Sequence, residues 1–540
     1  MYDYAVQRQH RSYENPAPRM ESAAKLTGMS QLSPMSAGVD GSTHRNTHPT
    51  TARTRGFLDL HKSRYFNKES CASFPRSLAV ELQTSNLPRL HAFAYHAGVR
   101  SEPIYSPQHS LTDLITLAQV KSLVDIYEST IHPVFGILDL TMFSHQCDMQ
   151  WNGTTQGEAF EAIAAGVVAL ASLFSNFLTR QVEAIIVEHA KCLLEGSLCV
   201  SPPNIHWVRA RILRTIYLRG ASQPWPAWLC SSTTMHFVEA VGLHRSPEEV
   251  TVVVNSEGRL LDGSIEMRER TFQVARSLNL IISYDYGRSS VNLGTLNPRL
   301  LPNRPKDFTD QFCSLVCLIA VDDTALASTT ENTDLLALLE RVCNAPADHD
   351  FIVLTRAELA LCIYRRLHHF GYSLAKEKID QIVAVGMPAL QAARQLAALE
   401  QPWWNILGTV FHFICVLLSV ISFGSACTRQ TSDNFQMNTN SSLELIPEAV
   451  HTLEHLSQQL GTHMAMEAVK TANDLVSASL NQRRKAIENL ENALTRSVAS
   501  DMSPGDQTFT EDDWNMFLQP FDQNYFSNIR FTDMSQEGLC

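Results

Sequence analysis

The chain has 540 residues, of which 44% are apolar, and it carries a formal net charge of -12 at pH 7. This length exceeds one compact core and favours two or three folded units, while the apolar share is enough for a large interior. The acidic balance gives no long-range attraction to a polyphosphate. Binding to nucleic acid would therefore need a separate basic module.

The 12 cysteines occur without regular pairing, and no apolar run follows a basic start at the N-terminus. The sequence thus predicts neither a disulfide framework nor a secretory route, and it favours a reducing, intracellular compartment.

Residues 1–74 are rich in Ser, Thr, Arg, His, Asn and Pro and poor in apolar side chains. Such a composition cannot offset the entropy of ordering, so we expect a disordered N-terminal segment. From 76 to 430 helical periodicity dominates, with breaks near 202–204, 220–226, 254–263 and 291–306 and no sustained alternation typical of strands. We predict an all-α domain over 76–430.

The segment from Leu213 to Arg245 predicts two helices joined by a turn. Apolar residues recur at helical spacing in both halves, Pro224 and Pro226 interrupt the pattern, and Trp228 is expected on the turn. Gly242 follows the second helix and suits a left-handed C-terminal cap.

Three motifs, in this order, resemble the regulatory domain of fungal-specific zinc-cluster transcription factors. The matching residues are the turn His132-Pro133-Val134-Phe135-Gly136-Ile137-Leu138-Asp139 after Tyr127, then Trp228 with Gly242-Leu243-His244-Arg245, then Arg268-Glu269-Arg270-Thr271-Phe272 with Gly287-Arg288-Ser289. The resemblance spans roughly residues 110–430. It departs from the family at Gln273, where tryptophan is usual, and near Asn279, where aspartate is common.

The resemblance also implies how such proteins meet DNA. Family members carry a six-cysteine cluster near the N-terminus, which binds two zinc ions and presents a short helix to the major groove. In this sequence the first two cysteines are Cys71 and Cys147. We therefore expect no zinc cluster in these residues and only indirect contact with DNA. Two explanations stay open: the true N-terminus lies upstream, or the chain works through a DNA-binding partner, as a homodimer or heterodimer.

The stretch Gln401–Thr428 contains no Asp, Glu, Lys or Arg and is long enough to cross a bilayer. A membrane helix and a central buried helix both fit this composition. Asn405, His412 and Gly424, together with the lack of a flanking basic cluster, favour the buried helix. We expect no membrane partner.

A polar break predicts a linker at residues 431–443, followed by a C-terminal helical region at residues 444–498. This region contains His451-Thr452-Leu453-Glu454-His455, a spacing that lets two histidines on a helix share a zinc ion. Asp474 and the pair Asp322-Asp323 resemble parts of the magnesium motifs of all-α terpene cyclases, but the remaining carboxylates are missing. A metal-dependent all-α enzyme is the less favoured alternative, and we predict no catalytic, cofactor or metal residues.

The tail, residues 501–540, is acidic and aromatic. Trp514, Phe517, Leu518 and Phe521 follow three acidic residues at spacings of one helical face. Such a segment can fold on binding, with the aromatic face in a hydrophobic groove of a coactivator.

These observations predict a nuclear transcription regulator, not an enzyme. By resemblance, its helical domain controls an activating tail and a metabolic or secondary-metabolite pathway. An accessory scaffold or corepressor without activating function is the alternative.

Overall fold

The computed structural model describes residues 56–59, 64–67, 70–88, 95–99, 110–200, 203–221, 224–245, 264–320 without 295, 297, 298 and 303, 331–423 without 373, and 432–501. All of them belong to one unit, Thr54–Cys540; the other unit, Met1–Arg53, lies outside the described residues.

The described residues form sixteen α-helices and one two-stranded antiparallel hairpin, which confirms the all-α prediction. In chain order the elements are β1 Gly56–Asp59, β2 Arg64–Asn67, α1 Phe74–Glu81, α2 Leu111–Leu114, α3 Leu117–Thr130, α4 Leu140–Trp151, α5 Glu158–Leu173, α6 Arg180–Val200, α7 Ile205–Ala221, α8 Pro224–Val241, α9 Ile265–Tyr286, α10 Thr309–Cys317, α11 Glu331–Cys343, α12 Asp350–His369, α13 Lys376–Ala398, α14 Asn405–Phe423, α15 Ser432–Leu460 and α16 His463–Asp501. The predicted break near 202–204 falls between α6 and α7, that near 220–226 at the junction of α7 and α8, and that near 291–306 between α9 and α10. The predicted break near 254–263 lies outside the described residues.

Local sequence fixes both ends of α9. The Ser264 hydroxyl accepts a hydrogen bond from the Met267 amide at 3.2 Å, which satisfies one of the free N–H groups of the first turn. Gly287 ends the helix in the left-handed region, with φ at 62°. Gly242 has φ at 70° directly after α8, as the sequence predicted.

Helix α14 lies at the centre of a group of helices. It packs against α1, α12, α13, α15 and α16. Among the described residues, Asn405–Ser422 is the one helix long and apolar enough to cross a membrane, with a mean hydropathy of 2.0, and 94% of it is buried inside the fold. Its neighbours thus supply the apolar surroundings that a bilayer would otherwise provide, which agrees with the central-helix alternative.

An aromatic cluster joins the turn before α4 to α10, α12 and the residues before α14. The ring centres of Phe135 and Phe312 are 5.0 Å apart, and those of Phe351 and Trp403 are 4.2 Å apart. Phe351 also meets Trp404 at 4.9 Å. Aromatic pairs in these geometries stabilise a fold beyond the burial of their apolar surface. The cluster therefore holds the turn before α4, helices α10 and α12, and the residues before α14 together.

Within residues 1–74, which the sequence predicts as disordered, the structure describes only 56–59, 64–67 and 70–74, and the rest lies outside the described residues. Strands β1 and β2 form an antiparallel pair, in which Phe57 is opposite Phe66 and Leu58 is opposite Tyr65. An average composition over 74 residues hides a short regular segment of this kind.

At the predicted linker, residues 431–443, the structure has the first turns of α15, which begins at Ser432. Its Ser, Thr and Asn residues are modest helix formers, but neither Gly nor Pro interrupts the chain before Pro447. The buried Leu453 and Leu456 then place α15 in the same core as the preceding helices, so residues 444–498 share a core with the domain before them.

Candidate functional site

The turn His132–Gly136 is fixed to the start of α10 by main-chain and side-chain hydrogen bonds. The carbonyl of Pro133 accepts from the Phe308 amide at 2.7 Å, and the Gly136 amide donates to the Thr309 hydroxyl at 3.0 Å. A Cβ atom on Gly136 would lie only 3.0 Å from the guanidinium of Arg270. The first and third motifs of the sequence therefore meet in space, although Gly136 and Arg270 are 134 positions apart in the sequence.

Arg270 organises this contact from inside the fold. Its side chain is 3% exposed and pairs with Glu266 at 2.9 Å and with Asp307 at 2.6 Å. Burial lowers the pKa of the neighbouring His132 to about 4, so its ring is neutral at pH 7. These motif residues stabilise a junction of helices.

Trp228 lies in the second turn of α8 and not on the turn between helices, so that expectation was wrong. Pro224 is the first residue of α8 and starts the helix, because proline has no N–H to lose there. The Trp228 indole donates to the Ser289 carbonyl at 3.0 Å. The Arg288 guanidinium lies 5.9 Å from the Trp228 ring centre and 5.1 Å from that of Tyr286. The second motif thus contacts the end of the third.

The string Gly242-Leu243-His244-Arg245 caps α8. The Gly242 amide donates to the Glu239 carbonyl at 3.0 Å, and the Leu243 amide donates to Val238 at 3.0 Å. Leu243 is buried, His244 is half-buried and Arg245 is exposed. The geometry is that of a helix end.

The two residues that depart from the family pattern are both partnered. Asn279 donates to the Ser231 hydroxyl at 3.1 Å and accepts from the Val291 amide at 2.8 Å. Gln273 donates to Glu269 at 2.7 Å. Gln273 also donates to the Arg299 carbonyl. Each departure is therefore accommodated by hydrogen bonds, which α8, α9 itself and the chain after α9 supply.

Four ionisable side chains meet in the interior, and we call them the charged cluster: Arg219 of α7, Asp285 of α9, and Glu358 and Arg365 of α12. Arg219 contacts Asp285 at 2.6 Å and Glu358 at 3.6 Å, while Arg365 is 3.9 Å from Asp285. None of the four is more than 9% exposed. Buried charges persist only when they are paired, so this cluster couples three helices.

Glu358 is a buried carboxyl group whose pKa is raised by its surroundings. Burial, and then the nearby Asp285 carboxylate, raise the pKa of Glu358 to about 8. At pH 7 the protonated form of Glu358 predominates, and its Oε2 lies 3.4 Å from the Asn405 amide nitrogen.

The N-terminal part of the fold covers this cluster. We call residues 70–88 and 95–99 the strap. The carbonyl of Tyr95 accepts from Arg219, and that of Cys71 accepts from His412 at 2.7 Å. Further along, the Ala97 carbonyl accepts from Thr462 at 2.7 Å. Main-chain carbonyl groups of the strap thus accept hydrogen bonds from side chains of α7, of α14 and of Thr462. Cys71 and Tyr95 are almost fully buried.

The metal candidates do not converge. His451 is exposed and His455 is half-buried, and Asp474 is exposed on the next helix. Among the described residues, no group of three or more His, Cys, Asp or Glu could hold a metal ion. The pair Asp322-Asp323 lies outside the described residues.

Trp514, Phe517, Leu518 and Phe521 also lie outside the described residues, so their proposed role rests on sequence. Conversely, sequence reasoning missed the charged cluster. Its signal was present, since Asp285 and Arg365 each interrupt a strongly apolar helical stretch. Which charge pairs with which depends on the tertiary fold.

Comparison with known proteins gives the family. A model described as the fungal specific transcription factor domain matches residues 124–311, which contain all three motifs. Protein RDR1 of Saccharomyces cerevisiae is 35% identical over 487 residues, covering 89% of this chain and 84% of that protein. Transcription factor kojR of Aspergillus oryzae is 30% identical over 496 residues, covering 88% and 84%.

A probable transcriptional repressor of Schizosaccharomyces pombe is 26% identical over 166 residues, covering 30% of this chain and 39% of that protein. No solved structure matches the chain. With relatives at this identity aligned over most of both chains, the chain belongs to the family of fungal-specific transcription factors and is a transcription regulator.

Proposed function

We propose that this regulator activates transcription in the nucleus and does so through its tail, residues 501–540. The observation that carries the proposal is the spacing of Trp514, Phe517, Leu518 and Phe521 behind Glu511-Asp512-Asp513. In a helix these four large side chains share one face, and the acids lie at its N-terminal end, where the helix dipole favours them. Pro520 limits the helix, so Phe521 lies at its end.

The partner of this face is a coactivator with a hydrophobic groove. An apolar helical face inserted into such a groove supplies the affinity, while the acidic residues keep the free segment soluble. Residues 501–540 hold eight acidic residues against Arg530 alone, which complements a basic rim around the groove.

We further propose that DNA is reached through a DNA-binding partner protein or through a dimer. The net charge of -12 works against direct attraction to DNA by these residues. The family and the names of its relatives support a regulatory role over an enzymatic one, and the scattered metal candidates add no support for catalysis.

The experiment fuses residues 501–540 to a heterologous DNA-binding domain and measures a reporter gene. We expect the double variant Trp514→Ala, Phe517→Ala to lose most of the output, because two truncated anchors weaken coactivator binding by at least about tenfold. The matched control is Phe509→Ala, Phe526→Ala, which removes two aromatic rings from outside the spaced set. Equal losses in both would contradict a specific helical face.

A second function, repression or scaffolding, is favoured by the Schizosaccharomyces pombe relative, whose name describes a probable repressor. It predicts that the full chain, tethered beside an active promoter, lowers reporter output with or without residues 501–540. Increased output that requires the tail would rule this alternative out.

A further inference from the structure

The first half of α16 belongs to the helical body. Helix α16 packs against α14 and α15, and Leu475 in its first half is buried. The Ser479 hydroxyl lies 3.0 Å from that of Ser422, next to the end of α14 at Phe423. Helix α16 itself continues to Asp501. Its second half therefore extends beyond the end of α14.

The second half of α16 carries an apolar stripe on one face. Leu490 is 64% exposed and Leu494 is 52% exposed, whereas Ile487 is half-buried. These three residues follow at spacings of three and four, so they lie on one face of the helix. We call this face, with the two exposed alanines beside it, the α16 stripe: Ala486, Ile487, Leu490, Ala493 and Leu494. A helical segment of this length is marginal in water unless a partner covers its apolar face.

Two opposite charges flank the stripe on the same side. Arg484 and Glu491 are seven positions apart and therefore point in nearly the same direction from the helix axis. Both side chains are exposed, and neither forms an ion pair with another described residue. They lie about 10 Å apart along the axis, which is too far for a direct contact within the helix. A second copy of the helix can supply an opposite charge to each of them.

Two copies of the stripe complement each other in the antiparallel orientation. When Ile487 of one copy lies opposite Leu490 of the other, a two-fold axis makes the reciprocal contact identical. Arg484 of each copy then faces Glu491 of the other, because both positions flank the same apolar layers. In a parallel pair, Arg483 would instead face the same residue of the second copy, and the two ion pairs would be lost. The charge pattern therefore favours the antiparallel pair.

We propose that the α16 stripe is the interface of a homodimer, in which the second halves of two α16 helices pack antiparallel. The stripe supplies a surface for the dimer proposed above as a route to DNA, and only the role of this dimer at DNA rests on that proposal. The antiparallel orientation leaves the two helical bodies at opposite ends of the contact. The stripe is smaller than a standard interface of about 800 Å² per partner, so we expect association in about the micromolar range.

Sedimentation velocity of the full chain between about 1 and about 100 µM measures this association. We expect an equilibrium of monomer and dimer, which Leu490→Glu weakens at least about tenfold because a carboxylate would enter two symmetric apolar layers. Leu399→Glu is the matched control, since Leu399 is 62% exposed directly after α13 and lies outside the stripe. It should leave the association unchanged. Both positions are exposed, so both variants should keep the thermal unfolding midpoint of the unchanged chain.

An exchange of charges tests the orientation of the helices. Arg484→Glu alone should weaken the dimer about fivefold, because two pairs of like charges then face each other. Glu491→Arg alone should weaken it to a similar extent. The double variant Arg484→Glu, Glu491→Arg restores both opposite-charge pairs in the antiparallel orientation, so its dissociation constant should return to that of the unchanged chain.

A chain that stays monomeric over this range would overturn the proposal. A dimer that Leu490→Glu leaves unchanged, or a double variant as weak as the single ones, would overturn it as well. A dimer that forms only after removal of residues 502–540 would assign the stripe to the tail of the same chain and would also overturn it. Association is measured without DNA or a reporter gene, so its failure leaves the activating tail untouched. Failure of the tail in the reporter assay likewise leaves the dimer intact.

Discussion

The contact between α12 and α14 contains two regions of opposite character. At one end Phe351 meets Trp403 and Trp404, and the region is held by apolar burial and ring contacts. Further along the same pair of helices, Arg365 and His412 belong to a polar region with charged partners. An aromatic region tolerates changes of shape at moderate cost, whereas a buried charged region fails when one partner is lost.

The largest effect is expected from breaking the charged cluster. Asp285→Ala leaves Arg219 and Arg365 without their common carboxylate and should lower the free energy of unfolding by about 3–5 kcal/mol. Glu448→Ala, which breaks an exposed pair with Arg394, should cost less than about 1 kcal/mol. Denaturant unfolding measures both. Replacing Arg219 by Met and Asp285 by Leu together should cost less than Asp285→Ala alone, and equal losses would contradict the pairing.

Acid should weaken the polar region through His412. Burial, and then Arg365, lower the pKa of His412 from its ordinary 6.5 to about 3. Between these two values the unfolded chain binds a proton that the folded chain excludes, so stability falls as the pH drops from 6.5. At pH 4.5 this residue accounts for a loss of about 2–3 kcal/mol. His412→Gln should remove that part of the pH dependence, and His451→Gln, at an exposed position, should keep it. A pH dependence unchanged in His412→Gln would contradict the assignment.

A milder effect is expected in the aromatic region. Phe135→Leu keeps most of the apolar volume and loses the ring contacts with Phe312 and Phe351, so it should cost about 1–1.5 kcal/mol. Denaturant unfolding again gives the value. A loss as large as that of Asp285→Ala would show that the two regions do not differ as described.

The smallest effect is expected from replacing either of two threonines on facing helices, Thr355 of α12 and Thr409 of α14. The Thr355 hydroxyl donates to the Phe351 carbonyl at 2.8 Å, and Thr409 has no hydrogen-bond partner among the described residues. Thr355→Val should therefore cost about 1 kcal/mol, while Thr409→Val should be neutral or slightly stabilising. The opposite order in thermal unfolding would contradict the assignment of the unpartnered hydroxyl.

The two regions also differ in how far sequence could predict them. Apolar periodicity and turn residues gave the helices, the cap at Gly242 and the buried nature of α14, because these features depend on neighbours within a few turns. The pairing of Arg219 with Asp285 joins residues 66 apart, and no local pattern selects that partner. The helical start of α15 was missed for a related reason, since packing of its later turns outweighs the modest propensity of the first ones.

The residues of the candidate site also differ in how far the sequence could predict them. The motifs around Phe135, Trp228 and Arg288 were found by resemblance, but their contacts with one another depend on the tertiary fold. Arg365 was not singled out, although it directly follows the apolar run Leu359–Tyr364, which is a signal that could have been used. The pattern in the tail could be recognised from the sequence alone, because its four residues lie within two helical turns of one another.

The most direct test fuses the full chain, and a version ending at residue 500, to a heterologous DNA-binding domain and compares the reporter output. We predict that removal of residues 501–540 abolishes activation while the unfolding midpoint of the helical body stays the same. Equal activation by both fusions would contradict an activating tail and would place the output in the helical body.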